Sequence, residues 1–224
     1  MRQRKPLLVG VGGTLRDGST SEQAMRLALG LAEQTGCSTE IFSGAAINLP
    51  PYDPGDRQRT PEAKALVEAL RRADGLILSS PGYHGTISGL LKNALDYTED
   101  LRADPRVYLS ERAIGIIVCA DGIQAMGSTL NTLRSIAHAL RAWPTPFAAV
   151  VNSGGKPFAA DGRCQSTEVE QSLRLVAAQV VEFAQMKIAA EDDEASTDRE
   201  RPPVSSADLS ERMAAMEMTF RLMG

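Results

Sequence analysis

Leu7-Leu8-Val9-Gly10-Val11-Gly12-Gly13-Thr14-Leu15-Arg16-Asp17-Gly18-Ser19-Thr20-Ser21 decides how this chain is read. Its first five residues are apolar without alternation, as in a strand buried on both faces of a parallel sheet. A turn rich in Gly, Ser and Thr follows. Ala24, Leu27, Ala28, Leu31 and Ala32 then recur at helical spacing. Strand, glycine turn and helix open a βαβ unit.

The unit repeats along the chain. Residues 39–42 read as a second strand, and the proline-rich 48–55 as loop. Thr60-Pro61-Glu62 reads as a helix start: a threonine cap, a proline in the first turn and an early acid. Residues 75–79 read as a third strand and 85–101 as a third helix. Residues 113–120 and 127–141 give the fourth pair, and 146–151 and 168–187 the fifth. Strands alternating with helices imply a doubly wound α/β sheet, whose ligand site lies at the carboxyl ends of its strands. Residues 189–207 are charged and unpatterned and read as a linker. In 208–224, Leu209, Met213, Met216 and Phe220 form one stripe of an amphipathic helical tail, suited to packing on its own domain or on a neighbouring subunit.

Composition narrows the function. A net charge of −4 and 4% aromatic residues point away from nucleic acid and acidic membrane surfaces. Cys37, Cys119 and Cys164 have no metal-binding spacing and read as reduced thiols. The basic start runs into an apolar stretch too short for a signal peptide or a membrane span, so a cytoplasmic protein is expected.

The first loop suits a terminal phosphate. The hydroxyls of Thr14, Ser19, Thr20 and Ser21 and the guanidinium of Arg16 can ring an anion at a helix N-terminus. A plain cap by Ser19 or Thr20 would need only one of them. The nucleoside triphosphate lysine motif is absent. A dinucleotide fingerprint would need glycine at Leu15 and an acid after Phe42-Ser43-Gly44. A mononucleotide such as FMN fits what remains.

The third strand leads into Ser79-Ser80-Pro81-Gly82-Tyr83-His84-Gly85-Thr86-Ile87-Ser88-Gly89-Leu90-Leu91-Lys92-Asn93-Ala94-Leu95-Asp96. Its Ser-Pro-x-Tyr-x-Gly segment, followed by Gly-x-Leu-Lys-Asn-Ala-x-Asp, resembles the NADPH-dependent FMN reductase family of flavodoxin-like proteins. The first loop is similar to that family's phosphate loop, with Thr14 in a serine place and Ser21 where many members carry asparagine. The resemblance spans roughly residues 6–187. It implies a five-stranded parallel sheet of order 2-1-3-4-5 within residues 1–188. It also implies phosphate contacts at Thr14, Arg16, Ser19 and Ser21, and a flavin-ring loop at Pro81, Tyr83, His84 and Gly85.

Residue chemistry suits that placement. Pro81 and Gly82 permit close backbone approach, Tyr83 offers a flat face, and Gly85 is expected to open the third helix. His84 reads equally as a flavin contact, a helix cap or an exposed loop residue. In the third loop, Asp121-Gly122 stands where the family has a Ser/Thr-Gly-Gly type segment. Asp121 could accept from the flavin ring or cap the fourth helix, and Gly122 allows close approach. Ser153-Gly154-Gly155-Lys156 could reach a nicotinamide phosphate.

The activity implied is hydride transfer from NADPH or NADH to FMN. Electrons would then pass to free flavin, a quinone, an azo dye or a metal oxyanion, or reduced flavin to a monooxygenase partner. The chemistry belongs to the cofactor, and no catalytic side chain or metal site is expected. A homodimer or homotetramer is implied. A non-enzymatic electron-transfer flavodoxin is the alternative, although such proteins are strongly acidic and flank the ring with aromatics.

Overall fold

The structure, a computed structural model, describes residues 4–200, with the backbone alone for 194–200. The strands are β1 (Leu7–Gly12), β2 (Ser38–Phe42), β3 (Gly75–Pro81), β4 (Ala113–Ala120), β5 (Trp143–Pro144) and β6 (Ala149–Asn152). The helices are α1 (Thr20–Glu33), α2 (Pro61–Arg72), α3 (Gly89–Asp96), α4 (Ile123–Ala139) and α5 (Thr167–Glu200). All strand pairs are parallel, in the order β2-β1-β3-β4-β5, with β6 also on β4. This is the flavodoxin-like order expected from the resemblance.

Alternate residues of each strand feed two cores. Val9, Val11, Leu76, Leu78, Ile114, Ile116 and Val118 pack under α2, α3 and α4. Leu8, Ile77, Ala113 and Ile117 pack under α1 and α5. Missing side chains let those last two helices come close. A Cβ on Gly10 would stand 2.5 Å from Leu29 Cδ1, and one on Gly75 2.5 Å from Val180 Cγ1.

Four expectations are corrected. The fifth sheet position holds two strands, because Pro144 and Pro146 cannot donate to a ladder. β3 occupies one edge of β4, so β5 and β6 share the other, at Ala113–Ile114 and Ile117–Ala120. In the gap Phe147 N–H donates to Gln179 Oε1 (3.0 Å). Second, α3 opens at Gly89, not Gly85, because Ser88 caps it by accepting from Leu91 N–H (3.2 Å). Third, α4 opens at Ile123, four residues before Gly127. Gly127 has open space about it, and an exposed helix tolerates such a glycine at a cost of about 1 kcal/mol. Fourth, α5 runs unbroken to Glu200, so 189–200 is helical and not unpatterned. Ala189, Ala190 and Glu191 are strong helix formers, and a helix already begun extends cheaply. Residues 201–207 of that linker and the tail at 208–224 lie outside the described residues.

Candidate flavin site

The loops after β1, β3, β4 and β6 meet at the carboxyl edge of the sheet. Gly13 is the contact between the first two. A Cβ there would stand 2.6 Å from Ser88 Oγ, 2.9 Å from Pro81 Cδ and 3.3 Å from Ser79 O. Ser79 Oγ donates to Ser21 O (2.7 Å), drawing the first turn of α1 to the end of β3. Gly82 N–H donates to Cys119 O (2.8 Å), and Ser153 N–H to Ala120 O (3.1 Å), so the third loop lies between the other two.

The first loop is closely bonded. Ser19 is the cap of α1 and accepts from Glu22 N–H (3.3 Å). Thr20 is already helical. Ser19 Oγ and Ser21 Oγ lie 3.4 Å apart, and Thr14 Oγ1 accepts from Arg16 N–H (3.1 Å). Thr14, Ser19 and Ser21 are buried, whereas Arg16 is exposed. The amides of Thr20 and Ser21 begin α1, where no intrahelical acceptor exists. Hydroxyls, amides and one exposed cation thus share one helix start.

The second loop is a tight hairpin. Tyr83 and Thr86 exchange both backbone hydrogen bonds (3.0 Å each). His84 (φ 52°) and Gly85 (φ 81°) between them have the positive φ pair of a type I′ turn. His84 is therefore an exposed tip residue and not a helix cap. Ser128 Oγ donates to Gly85 O and ties the hairpin to α4. The lack of a side chain at Gly82 serves packing, since a Cβ would stand 3.0 Å from Thr129 Oγ1 and 3.1 Å from Ala120 Cβ.

The third loop is open. Gly122, not Asp121, is the cap residue of α4, and no side chain caps that helix. Asp121 and Gly122 are exposed. Asp121 Oδ1 would lie 3.6 Å from a Cβ on Gly154, and exposed Lys156 follows two residues later. Cys119, just inside the edge, is no nucleophile, because burial pushes its thiol up to about 12.

Two groups escaped the sequence reading. Leu15 (48% exposed), Tyr83 (54%) and Ile123 (82%) leave apolar surface on three adjoining loops, suited to the face of a ring. Only Tyr83 was legible, because a leucine or isoleucine beside a loop reads as core. The second is a brace on the loop after β2. Asn93 accepts from Tyr52 N–H (2.8 Å) and donates to Pro50 O (2.9 Å). Arg59 grips Asp100 with Nε (2.8 Å) and Nη2 (2.9 Å) and lies over the rings of Tyr52 and Tyr97. The Asn of the Lys-Asn-Ala segment thus holds a neighbouring loop.

A parallel sheet of this order with a hydroxyl-lined helix start beside the switch in strand order defines a flavodoxin-like α/β protein. The chain matches the NADPH-dependent FMN reductase family over residues 6–156 and belongs to it. Among curated relatives, the FMN-dependent NADPH-azoreductase of Staphylococcus aureus is 35% identical over 122 residues, 54% of this chain and 61% of that protein. An NAD(P)H-dependent FMN reductase of Pseudomonas aeruginosa is 33% identical over 90 residues, 40% of this chain and 48% of that protein. The matched stretch thus spans about half to three-fifths of these relatives' length. In fold, the chain is similar to RosB, whose structure holds 8-demethyl-8-formylriboflavin-5'-phosphate (TM-score 0.65, 17% identity, 90% of each chain). It is also similar to FerB, an NAD(P)H:acceptor oxidoreductase of Paracoccus denitrificans (TM-score 0.63, 18% identity, 81% of this chain and 98% of that one).

Proposed function

We propose that the chain is an NAD(P)H-dependent FMN reductase that binds FMN at the carboxyl edge of the sheet. The contact at Gly13 carries this reading, because it sets a phosphate-type helix start directly against the Pro81–Ser88 loop. The donor set fits the cofactor. Buried hydroxyls and helix amides suit a phosphate, and the nearest buried carboxylate, Glu22, is taken up by its own donors. Thr14, Arg16, Ser19, Thr20 and Ser21 hold the phosphate. Pro81, Gly82, Tyr83, His84 and Gly85 line one side of the ring, and Asp121 and Gly122 the other.

FMN, when bound, supplies hydride acceptance at its N5 from NADPH or NADH. The protein's part is to bind, orient and leave one face open, and the exposed third loop suits that part. Lys156 serves as a cation for the nicotinamide's phosphate. The acceptor is a small molecule: free flavin, a quinone, an azo dye or a metal oxyanion. Reduced flavin handed to a monooxygenase is the other outlet. We place the protein in the cytoplasm as a homodimer or homotetramer, with residues 1–188 as its flavin domain. Among the described residues, no helix is long and apolar enough to cross a membrane.

The test is a visible spectrum of the purified protein, then NADPH or NADH oxidation with and without FMN. Flavin-dependent turnover supports the reading; no flavin affinity and no turnover would sink it. Arg16→Ala should weaken FMN binding by about 1.5–3 kcal/mol, tenfold or more in Kd, as loss of a charge-assisted phosphate contact does. An unchanged Kd refutes the phosphate assignment.

A further inference from the structure

We propose that Glu22 is a positioning residue that ties the phosphate loop to the end of β2 and holds it in binding shape before the ligand arrives. The inference rests on the phosphate reading of that loop. Glu22 stands in the first turn of α1 and is 5% exposed. Both its oxygens are engaged. Oε2 accepts from Gly18 N–H (2.8 Å). Oε1 accepts from Arg26 Nε (3.0 Å) and Nη2 (2.8 Å) and from Ser43 Oγ (3.2 Å).

The geometry makes a clamp. Gly18 has φ 65°, a conformation glycine takes readily, and it hands the chain to the Ser19 cap. Holding its amide fixes the direction of that turn. At the other end of the loop, Gly44 N–H donates to Thr14 O (3.1 Å). The span from Thr14 to Gly18 is therefore fastened at both ends to adjoining residues, Ser43 and Gly44.

A carboxylate beside a phosphate site would repel the ligand were it not neutralised. Arg26 supplies the opposite charge on the same helix face, one turn on. Burial opposes ionisation, yet the bonds from Arg26, Gly18 and Ser43 outweigh it and hold the carboxyl below the usual range. A loop already held loses less freedom when the ligand binds. The clamp therefore acts on the phosphate end of the ligand and not on the ring.

That division gives the test. FMN and riboflavin, which lacks only the phosphate, are titrated by flavin fluorescence into the full chain, into Glu22→Gln and into Ser43→Ala. Glu22→Gln should lose about tenfold in FMN affinity and keep its riboflavin affinity within about twofold. Ser43→Ala should move the same way by about threefold, since one neutral bond is lost. Equal weakening of both flavins, or no change in either, overturns the clamp. Should Glu22→Gln not fold, Ser43→Ala decides alone, and an unchanged FMN-to-riboflavin ratio sinks the proposal. If the unaltered chain does not prefer FMN to riboflavin, the phosphate reading fails and the clamp with it. A normal preference that neither variant alters removes the clamp alone.

Discussion

The two halves of the carboxyl edge are built differently. The loops after β1, β2 and β3 are bonded to one another: Gly13 touches Pro81 and Ser88, Gly44 holds Thr14, and Asn93 holds Tyr52. The loop after β4 carries exposed Asp121 and Gly122, a helix without a side-chain cap, and an isoleucine 82% exposed. One half is fastened by its own contacts, and the other leaves room. Under the proposed function, a reductase that holds one nucleotide while others come and go needs that division. Affinity belongs on the closed side and access on the open one.

The contrast is broken most severely at Gly13. A side chain there meets Ser88 Oγ at 2.6 Å and Pro81 Cδ at 2.9 Å, neither being the end of a long flexible chain. Gly13→Val should therefore cost about 3 kcal/mol of stability, the upper range for overpacking, and abolish FMN binding. Urea unfolding and flavin titration measure the two. Wild-type stability with wild-type FMN affinity would mean that the two loops do not meet there.

Asp100 sharpens the contrast at intermediate cost. Its bonds from Arg59 hold its carboxyl below the usual carboxylate range, against the opposing effect of burial. A depressed native pKa adds stability above the unfolded value of about 3.9, and that stability is lost as pH falls through the native value. Asp100→Asn should cost about 1–2 kcal/mol at pH 7, since the carboxylate is partly exposed, and the gap to wild type should close below about pH 4. Unfolding curves at pH 7, 5 and 3.5 follow the difference. A gap that does not vary with pH would take the charge out of the brace.

The sequence announced strands and side-chain caps better than turns and contacts between loops, for physical reasons. Buried strands leave apolar runs, and β4 was read to the residue because its eight consecutive buried positions hold no charged or hydroxyl side chain. Thr60-Pro61 was read as a cap because both residues favour that place, and Thr60 Oγ1 does accept from Ala63 N–H (3.2 Å). The second loop misled because a helix was expected at Gly85. The glycine instead completes a turn with His84, and the cap lies three residues on at Ser88. The start of α4 was hidden because Gly122 offers no capping side chain. The Arg59–Asp100 brace joins residues 41 apart, and no local pattern announces such a pair. The same holds for the Glu22–Ser43 contact, although an acid three residues after a serine is a recognised sign of a helix start.

The smallest effect is expected at Asp121, and it tests the open side most directly. The carboxylate is exposed at the rim, and any hydrogen bond it makes to a ring competes with water. Asp121→Ala should change stability by no more than about 0.5 kcal/mol and raise the FMN dissociation constant roughly twofold, the low end for one solvent-exposed bond. Thermal unfolding and flavin titration suffice to measure both. The informative quantity is the ratio of this loss to that of Arg16→Ala. If affinity resides in the closed half, the arginine exceeds the aspartate at least fivefold in Kd, because its bond joins two opposite charges whereas the exposed carboxylate's bond competes with water. Equal losses at the two positions would mean that the ring is gripped as firmly as the phosphate. The division between a closed, binding half and an open, admitting half would then fail.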